Sequence, residues 1–525
     1  MLALVVACTS GDPPDLNRSA DADPTTTAPA DESSSTTTVG STETSASPHE
    51  TDEGTLRLGL ADVASLDPVG VSPASSAQVM LTGLLFDTLT HIDPRGSVQP
   101  GLAAYTASAD LTRWRFEIDP DATFADGSAV TAADVVYSIG RIQQGGRPAG
   151  LRLEGMEVSA IDEQTVEFAL DSASAVLPEL LAAPVMAITE ENAFAEGSGV
   201  PTPSDDYRIA SADDEQLVLE RRRGRGAQTL VIERFETEDG ALDAYLAGDL
   251  DWTISPPERL GEALAAAGTR GLEPFHGGLY LGVDAGVAPL DDQRLRQAIA
   301  LAVDRRGLTD KVFGSSAQPL WGVIPSGVAG GSTKCRGEWC GPDRERASSL
   351  VSEVFPDGQS EPLRVLVDDT STQRAIGDEV ERQLGEVGLE AEVESVPVDT
   401  DETPIISGRK QLFVFGWLGL TRSPTDHVPR LFLSTSPGNV SGLSDDGIDR
   451  ALAEAIEEPI PAERSTVWLL NEQRILDRVP VVPLVQFRTT GVMSQRLEGF
   501  DVQVDGTVDL TGVRLDGCGS DTGDC

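Results

Sequence analysis

Residues 84–142 constrain the fold more than any other part of this 525-residue chain, because turn, strand and helix signals follow one another closely there. Asp-Pro-Arg-Gly at 93–96 predicts a turn, since proline fixes φ and glycine tolerates a positive φ. Apolar and charged residues alternate over 114–118, which is typical of a half-buried strand. After a second turn at 126–127, Thr-Ala-Ala-Asp at 131–134 predicts a capping box that opens a helix.

The same stretch resembles the signature region of the bacterial extracellular solute-binding proteins of family 5, which bind oligopeptides, dipeptides or nickel for ABC importers. The resemblance is carried by five segments in the family's order, namely 83–85 (GLL), 100–103 (PGLA), 108–110 (SAD), 124–127 (FADG) and 131–138 (TAADVVYS). A second match at 289–305 (PLDDQRLRQAIALAVDR) resembles a scaffold helix of the family. The resemblance implies an α/β, periplasmic-binding-protein-like Venus-flytrap fold (type II, cluster C) with two lobes, mixed sheets and an extra subdomain in the first lobe.

The resemblance also implies how the chain is divided. We predict lobe I over 54–275 with an extra subdomain at about 96–200, lobe II over 276–484, a return to lobe I over 485–517 and a cysteine-bounded tail over 518–525. The length of 525 residues alone favours more than one lobe. Local patterns add a strand at 55–60, a β-α-β order over 363–393, and helices at 178–184 and 291–306.

The net charge of −47 limits the possible partners. Residues 1–53 contribute −9 and the remainder −38, so the body of the protein is itself acidic. Such a surface disfavours nucleic acid, whose phosphates require lysine and arginine, and it is repelled by anionic lipid unless it is tethered. We interpret the charge as solvated surface that aids solubility. No window approaches about 18 consecutive apolar residues, so the sequence predicts no membrane-spanning helix.

The first 53 residues predict an anchor followed by a tether. The segment LVVAC at 4–8 resembles a bacterial lipobox, and this resemblance implies lipid attachment at Cys8, as in an actinobacterial-type lipoprotein. Only seven residues precede Cys8, fewer than a complete signal contains, so we interpret residues 1–8 as a truncated signal. Residues 9–53 are rich in Ser, Thr, Pro and Asp and cannot form a core, which predicts a disordered tether.

The four other cysteines form two close pairs in the sequence, Cys335 with Cys340 and Cys518 with Cys525. In an exported protein such pairs most simply form two local disulfides. A four-thiolate zinc site is the alternative, although neither spacing is the CxxC of a zinc knuckle.

The sequence lacks the usual motifs of catalysis. It contains four histidines, and HExxH, GxSxG, Walker A and a GxGxxG between strand and helix do not occur. We therefore predict no enzyme, no cofactor and no metal site, and the few histidines also disfavour nickel as the ligand. The arginine run at 221–225 is open to two interpretations, an anion site or a solvated loop.

The resemblance places the ligand site between the lobes, after the strand that ends at 415–417 (FGW). It implies hinge connections near 274–278 and 484–487, and we predict ligand contacts from Trp417, Leu420, Arg422, Asp426 and Tyr280. In peptide-binding members an aspartate shortly after the tryptophan pairs with the α-amine of the ligand, and here Leu420 occupies that position. Asp426 is open to two interpretations, a substitute for that acid or a structural residue.

These observations predict a solute-binding protein, lipid-anchored at the extracytoplasmic face of the cell membrane. Acting as a monomer, it would close on a peptide-like or other small polar ligand and deliver it to ABC permease subunits. The alternative is a cell-surface sensor or interaction protein that keeps the binding fold without transport. Adjacency to permease and ATPase genes distinguishes the two, as does ligand-dependent closure in small-angle scattering.

Overall fold

The computed structural model describes residues 54–515 apart from 62, 64, 72–74, 94–95, 145–154, 196–199, 205, 267–273, 397–410 and 511. Two six-stranded mixed sheets form the centres of two lobes, and a four-stranded antiparallel sheet forms a subdomain beside the first. The predicted α/β, two-lobed fold with mixed sheets is therefore confirmed. The predicted lipobox at 1–8, the tether at 9–53 and the tail at 518–525 lie outside the described residues. Among the residues described, no helix is long and apolar enough to cross a membrane.

Helices and strands are interspersed along the chain. The first part of the chain contains β1 (Thr55–Ala61), α1 (Ser76–Leu85), β2 (Thr90–Ile92), β3 (Val98–Pro100), β4 (Ala103–Ala107), β5 (Arg113–Ile118), α2 (Ala132–Gln144), β6 (Met156–Ala160), β7 (Thr165–Leu170), α3 (Leu177–Leu180), β8 (Tyr207–Ala212), β9 (Gln216–Arg221), β10 (Thr229–Phe235), α4 (Glu238–Ala247), β11 (Trp252–Ile254) and α5 (Leu260–Ala265). The second part contains β12 (Pro274–Val283), α6 (Gln293–Ala302), α7 (Arg305–Val312), β13 (Ala317–Pro319), α8 (Arg344–Val354), β14 (Leu363–Asp368), α9 (Ser371–Gly385), β15 (Ala391–Val396), β16 (Leu412–Leu418), α10 (Val428–Phe432), α11 (Asp446–Glu457), α12 (Pro461–Arg478), β17 (Val481–Arg488), β18 (Gly491–Met493), β19 (Leu497–Glu498), β20 (Asp501–Val502), β21 (Val508–Asp509) and β22 (Arg514–Leu515). Short 3-10 turns lie at Pro68–Gly70, Pro184–Met186, Pro257–Arg259, Gly314–Ser316 and Pro424–Asp426.

The sheet of lobe I has the strand order β18-β11-β1-β10-β9-β8, and β1 lies parallel to both of its neighbours. β1 confirms the strand predicted at 55–60, and its apolar side chains Leu56, Leu58 and Leu60 are fully buried. Near the end of the chain, β18 joins the edge of this sheet by pairing with β11. Lobe I is therefore built from two widely separated parts of the sequence.

A buried carboxylate fastens these two parts together. Asp251, just before β11, accepts a hydrogen bond of 2.9 Å from the backbone N–H of Arg57 in β1. The same carboxylate pairs with Arg496, whose Nη2 lies 2.9 Å from Oδ2. Arg496 also donates to the carbonyl oxygen of Thr55 at 3.1 Å. The first strand is thus bound to the segment that returns to lobe I after residue 484, which we call the returning segment.

The extra subdomain consists of the sheet β4-β5-β7-β6 with α2 and α3 packed against it. In β5, the side chains of Trp114, Phe116 and Ile118 are buried and their neighbours are exposed, as the alternation predicts. α2 begins where the capping box predicts. The carboxylate of Asp134 accepts hydrogen bonds from the backbone N–H and the hydroxyl of Thr131, at 2.8 and 2.7 Å.

The sheet of lobe II has the strand order β13-β17-β12-β16-β14-β15. The predicted β-α-β unit is confirmed, because β14 and β15 pair in parallel and are connected by α9. The carboxylate of Glu379 joins α9 to α7, since it accepts hydrogen bonds from Lys311 Nζ (2.7 Å), Arg382 Nε (2.9 Å) and Gln383 Nε2 (2.7 Å). β17 runs without a break through the predicted boundary at 484/485, and the numerical lobe boundaries stay predictions.

The helix predicted over 291–306 is wrong at its C-terminal end. Asp292 caps α6, but the backbone becomes extended at Val303. The side chain of Asp304 then caps a second helix, α7, by accepting a hydrogen bond from the next turn. Arg305 therefore opens α7 instead of closing α6. The prediction extended to Arg306 because basic residues favour the C-terminal end of a helix, and it did not recognise Asp304 as a capping residue.

The helix predicted at 178–184 is also wrong in extent. A single turn, α3, is followed by a separate 3-10 turn that begins at Pro184. Ala183 is extended, with a ψ of 137°, because a residue that precedes proline disfavours the helical region. The segment keeps its apolar contacts and packs into the core of the subdomain.

In lobe II, Cys335 and Cys340 form a disulfide with their Cα atoms 5.5 Å apart. Two cysteines bound to each other do not offer thiolates to zinc. Among the described residues, no group of three or more His, Cys, Asp or Glu side chains could hold a metal ion. The pair Cys518 and Cys525 lies outside the described residues, so its disulfide stays a prediction.

Candidate ligand-binding site at the hinge

The neighbouring strands β12 and β17 carry the chain into and out of lobe II and form the candidate hinge. Two glycines of β12 allow the strands to approach closely. A Cβ on Gly278 would lie 2.5 Å from the carbonyl oxygen of Val485 in β17, and one on Gly277 would lie 1.8 Å from Leu418 Cδ2 in β16. At Gly278 the obstacle is backbone, so a larger residue there would push β12 and β17 apart, whereas at Gly277 the obstacle is the end of a leucine side chain. The predicted hinge positions, near 274–278 and 484–487, fall on these strands.

β16 is followed by the hinge loop (residues 419–427), which carries three of the predicted ligand contacts. Asp426 holds the loop, since its Oδ2 accepts hydrogen bonds from Leu420 N (3.1 Å), Thr421 N (2.7 Å) and Thr421 Oγ1 (2.6 Å). Its Oδ1 pairs with Arg430 at 3.0 Å. Asp426 is only 4% exposed. Both carboxylate oxygens are used within the protein, which favours the structural interpretation of this residue.

Trp417 lies at the end of β16 and is half-buried. Its indole Nε1 donates to the carbonyl oxygen of Asp426 at 2.8 Å, so the ring supports the hinge loop. A Cβ on Gly438 would lie 3.1 Å from the ring, so glycine there lets a second segment approach it. Contact between Trp417 and a ligand stays a prediction.

Arg422 connects the hinge loop to lobe I. Its guanidinium donates to the carbonyl oxygen of Ile92 at 2.7 Å and to Gln503 Oε1 at 2.6 Å. Its Nε lies 3.1 Å from Oδ2 of Asp505. The hinge loop therefore follows β16 of lobe II in sequence but is bound to β2 and to the returning segment. Ligand contact through Arg422 stays a prediction.

Leu420 and Tyr280 are enclosed by protein. Leu420 is 7% exposed and packs into the core of the extra subdomain, so the hinge loop also reaches that part of the molecule. Tyr280 is fully buried, its hydroxyl donates to the carbonyl oxygen of Val323 at 2.8 Å, and burial raises its pKa. Their predicted ligand contacts are untested, and in this arrangement both side chains face other protein groups.

Sequence reasoning gave no role to two histidines that lie at the hinge. The ring nitrogens of His276 each lie 2.5 Å from a carbonyl oxygen, one of Val504 and one of Gly419. His427 is completely buried, and neither of its ring nitrogens has a hydrogen-bond partner among the described residues. Burial lowers the pKa of His427 to about 3, so this ring is neutral at physiological pH. An isolated histidine, whether in a strand or in a loop, carries no pattern that would have revealed this.

Sequence reasoning also missed Glu179 in α3. Its carboxylate accepts hydrogen bonds from the hydroxyls of Ser423 and Thr425, the latter at 2.8 Å, and it pairs with Arg464. A signal was available, because Glu179 is the one charged residue in the apolar stretch 175–188. Charged residues are rarely buried unless they are paired, so such a residue predicts a buried partner.

Arg222 and Arg223 in the run at 221–225 make contacts within the protein. Arg223 pairs with Asp206 and Asp87, each at 3.0 Å. Arg222 donates to the carbonyl oxygen of Thr123 at 3.0 Å and so connects lobe I to the subdomain. These contacts favour a structural role over an anion site.

Two lobes with mixed sheets are connected by β12 and β17, and the hinge loop contacts both lobes. This architecture defines a two-lobed binding protein of the periplasmic type. The family model described as bacterial extracellular solute-binding proteins, family 5 Middle, matches residues 97–439, which is more than half of the chain. The chain therefore belongs to this family, and the resemblance seen in residues 84–142 is confirmed. Its members bind solutes outside the cytoplasm.

Curated relatives support the same assignment over most of the chain. The periplasmic murein peptide-binding protein MppA of Escherichia coli K12 is 24% identical over 483 residues, which cover 84% of this chain and 88% of MppA. The periplasmic oligopeptide-binding protein OppA of the same organism is 24% identical over 491 residues, covering 85% and 89%.

Solved structures share the fold. The unliganded open form of MppA has a TM-score of 0.77 at 22% identity, covering 89% of this chain and 98% of that one. HbpA2 from Haemophilus parasuis has a TM-score of 0.77 at 17% identity, covering 88% and 99%. DppA from Helicobacter pylori in complex with the peptide STSA has a TM-score of 0.66 at 17% identity, covering 88% and 98%.

Proposed function

We propose that this protein captures a peptide-like ligand between its lobes and delivers it to the permease of an ABC importer without changing it chemically. The observation that carries the proposal is the hinge loop. It extends from lobe II, yet Arg422 binds it to Ile92 and Gln503, and Leu420 packs into the subdomain. A ligand that touches this loop would therefore interact with a segment whose position depends on both lobes, as capture by closure requires.

The class of ligand is proposed from the relatives, since MppA and OppA are named for murein peptides and oligopeptides. The hinge loop differs from that of peptide-binding members at the position of the aspartate that pairs with the α-amine of the ligand. Leu420 is apolar, and the carboxylate of Asp426 is bonded to Leu420, Thr421 and Arg430. We propose that the ligand is held mainly by backbone groups and by the face of Trp417, with no carboxylate from this loop on its amine.

An equimolar mixture of tri-, tetra- and pentapeptides provides the test. Native mass spectrometry is expected to show one peptide bound per protein, and titration calorimetry is expected to give a Kd of about 10 μM or lower. Small-angle scattering should show a smaller radius of gyration with peptide. Replacing Trp417 by Ala should weaken binding about tenfold or more, because buried aromatic contacts dominate such interfaces.

The matched control is Trp339→Ala, which removes a tryptophan that contacts Arg346 in lobe II. This variant should bind peptide as the unaltered protein does. If no peptide in the mixture binds with a Kd below about 1 mM, the proposed function is wrong.

We further propose that the protein is monomeric and attached to the outer face of the membrane through lipid at Cys8. The lipobox at 4–8 and the tether at 9–53 support this placement, and a tether would overcome repulsion of the acidic body from anionic lipid. Replacing Cys8 by Ser should move the protein from the detergent-soluble membrane fraction to the medium, with loss of incorporated labelled palmitate. Equal membrane retention of both forms would contradict the anchor.

A further inference from the structure

The carboxylate of Glu179 connects the extra subdomain to lobe II. Glu179 lies in α3 of the subdomain, and the three side chains that donate to it, Ser423, Thr425 and Arg464, lie in the hinge loop and in α12. Next to it, the backbone N–H of Ala175 donates to the carbonyl oxygen of Ile456 in α11 at 2.8 Å. This contact is therefore a defined junction between two parts of the molecule.

The junction is shielded from water. Glu179 is 9% exposed, Arg464 is 4% exposed and Ser423 is 5% exposed. The guanidinium of Arg464 also donates to the carbonyl oxygen of Glu458, so each of its two terminal nitrogens has a hydrogen-bond partner. A protein is strongly destabilised when a buried charge loses its partner, whereas exposed ion pairs contribute little to its stability. The geometry of this junction is therefore specified much more tightly than that of a surface ion pair.

The hinge loop is held by two separate sets of side-chain hydrogen bonds. Arg422 binds it to β2 and to the returning segment of lobe I. Glu179 binds it to the subdomain by accepting hydrogen bonds from Ser423 and Thr425. Inside the loop, Asp426 holds the backbone N–H groups of Leu420 and Thr421. Removing Glu179 would take away the hydrogen bonds that Ser423 and Thr425 make to the subdomain and would leave the apolar packing of Leu420 as the loop's contact there.

We propose that Glu179 is a positioning residue for the ligand: by holding Ser423, Thr425 and Arg464, it fixes the hinge loop between the lobes and so sets the affinity for peptide. This inference rests on the proposed function. Glu179 does not contact the ligand itself. It acts through the hinge loop, whose backbone and Trp417 form the proposed binding surface, and a loosely held site binds more weakly than a preorganised one.

Hydrogen–deuterium exchange of the hinge loop tests the positioning role without any ligand. Glu179→Gln is expected to increase exchange in residues 419–427 about tenfold or more, because the loop loses its charged acceptor. Glu167→Gln is the matched control. Glu167 pairs with Arg113 at 2.6 Å and with Arg115 at 3.0 Å, and both partners lie in the subdomain. The control should leave exchange in the loop unchanged.

Ser423→Ala combined with Thr425→Ala gives a second route if Glu179→Gln does not fold. This double variant keeps the pair between Glu179 and Arg464 and removes the two hydroxyl donors from the loop. It should raise loop exchange in the same way. Unchanged exchange in the loop for whichever variant folds would overturn the proposal.

Affinity for tetra-alanine, measured by calorimetry, separates positioning from a purely structural role. Glu179→Gln should weaken binding about tenfold or more, and Glu167→Gln should change it less than about twofold. A lower melting temperature with unchanged affinity would overturn the positioning role. If the unaltered protein does not bind tetra-alanine or any peptide of the mixture, the proposed function fails, while the exchange experiment still decides whether Glu179 holds the loop.

Discussion

Replacing Gly278 by alanine is expected to destabilise the protein by about 3 kcal/mol, at the upper end of the range for overpacked interiors. The added Cβ would lie 2.5 Å from the carbonyl oxygen of Val485 and 2.8 Å from Leu320 Cδ2. The carbonyl belongs to the backbone of β17 and has no rotamer to escape to, so the two hinge strands must separate. Denaturant unfolding measures the loss. Scattering with and without peptide should show that closure is also impaired.

The control for this variant is Gly385→Ala in the same lobe. A Cβ on Gly385, the last residue of α9, would meet nothing within 4 Å. Its unfolding free energy should stay level or rise by up to about 1 kcal/mol, because alanine loses less entropy than glycine in a helix. If Gly278→Ala differs from the unaltered protein by less than about 0.5 kcal/mol, the close approach of the hinge strands is not a real constraint.

Replacing Glu379 by glutamine is expected to lower the unfolding free energy by about 2 kcal/mol at pH 7. Burial alone would raise the pKa of this carboxyl, but hydrogen bonds from Arg382, Lys311 and Gln383 lower it to about 2. The full difference from the ordinary value corresponds to about 3 kcal/mol. We reduce the expected loss because the side chains of Lys311 and Arg382 are 61% and 47% exposed and regain water.

The same group gives the stability a defined pH dependence. Its pKa is lower in the folded protein than the ordinary value of 4.5, so its contribution is complete above pH 4.5 and is lost as the pH falls towards 2. Urea unfolding at several pH values should therefore show the difference between the unaltered protein and Glu379→Gln shrinking over this window. Asp378→Asn is the control, because Asp378 is exposed on the same helix. A constant difference from pH 7 to pH 2 would contradict the assignment.

Local signals in the sequence predicted helices and strands well where a single signal, such as an alternation or a capping box, acts without a competing one. The alternation over Trp114, Phe116 and Ile118 gave a strand, and Thr131 with Asp134 gave the start of α2. Prediction failed where two local preferences compete. Basic residues at 305 and 306 favour the end of one helix, but Asp304 caps a new helix there and so divides the predicted one.

The candidate site was harder to predict than the fold, because its contacts join distant parts of the chain. The position of the hinge loop after β16 followed from the resemblance. The resemblance also showed that Leu420 occupies the position where peptide-binding members have an aspartate. The partners of Arg422, however, lie 330 and 81 residues away, at Ile92 and Gln503. Glu179 and Arg464 are separated by 285 residues. No local pattern encodes which distant residue a buried charge meets.

The pairing of Asp251 with Arg496 lies in the lobe to which the proposed tether is attached. The described chain starts at residue 54, directly before β1, and this strand and the returning segment are bound together in lobe I. With the tether fixed at Cys8 as proposed, any pull from the membrane would be taken up by lobe I. Lobe II is joined to lobe I through β12 and β17, so its movement during closure would not pull directly on the anchor.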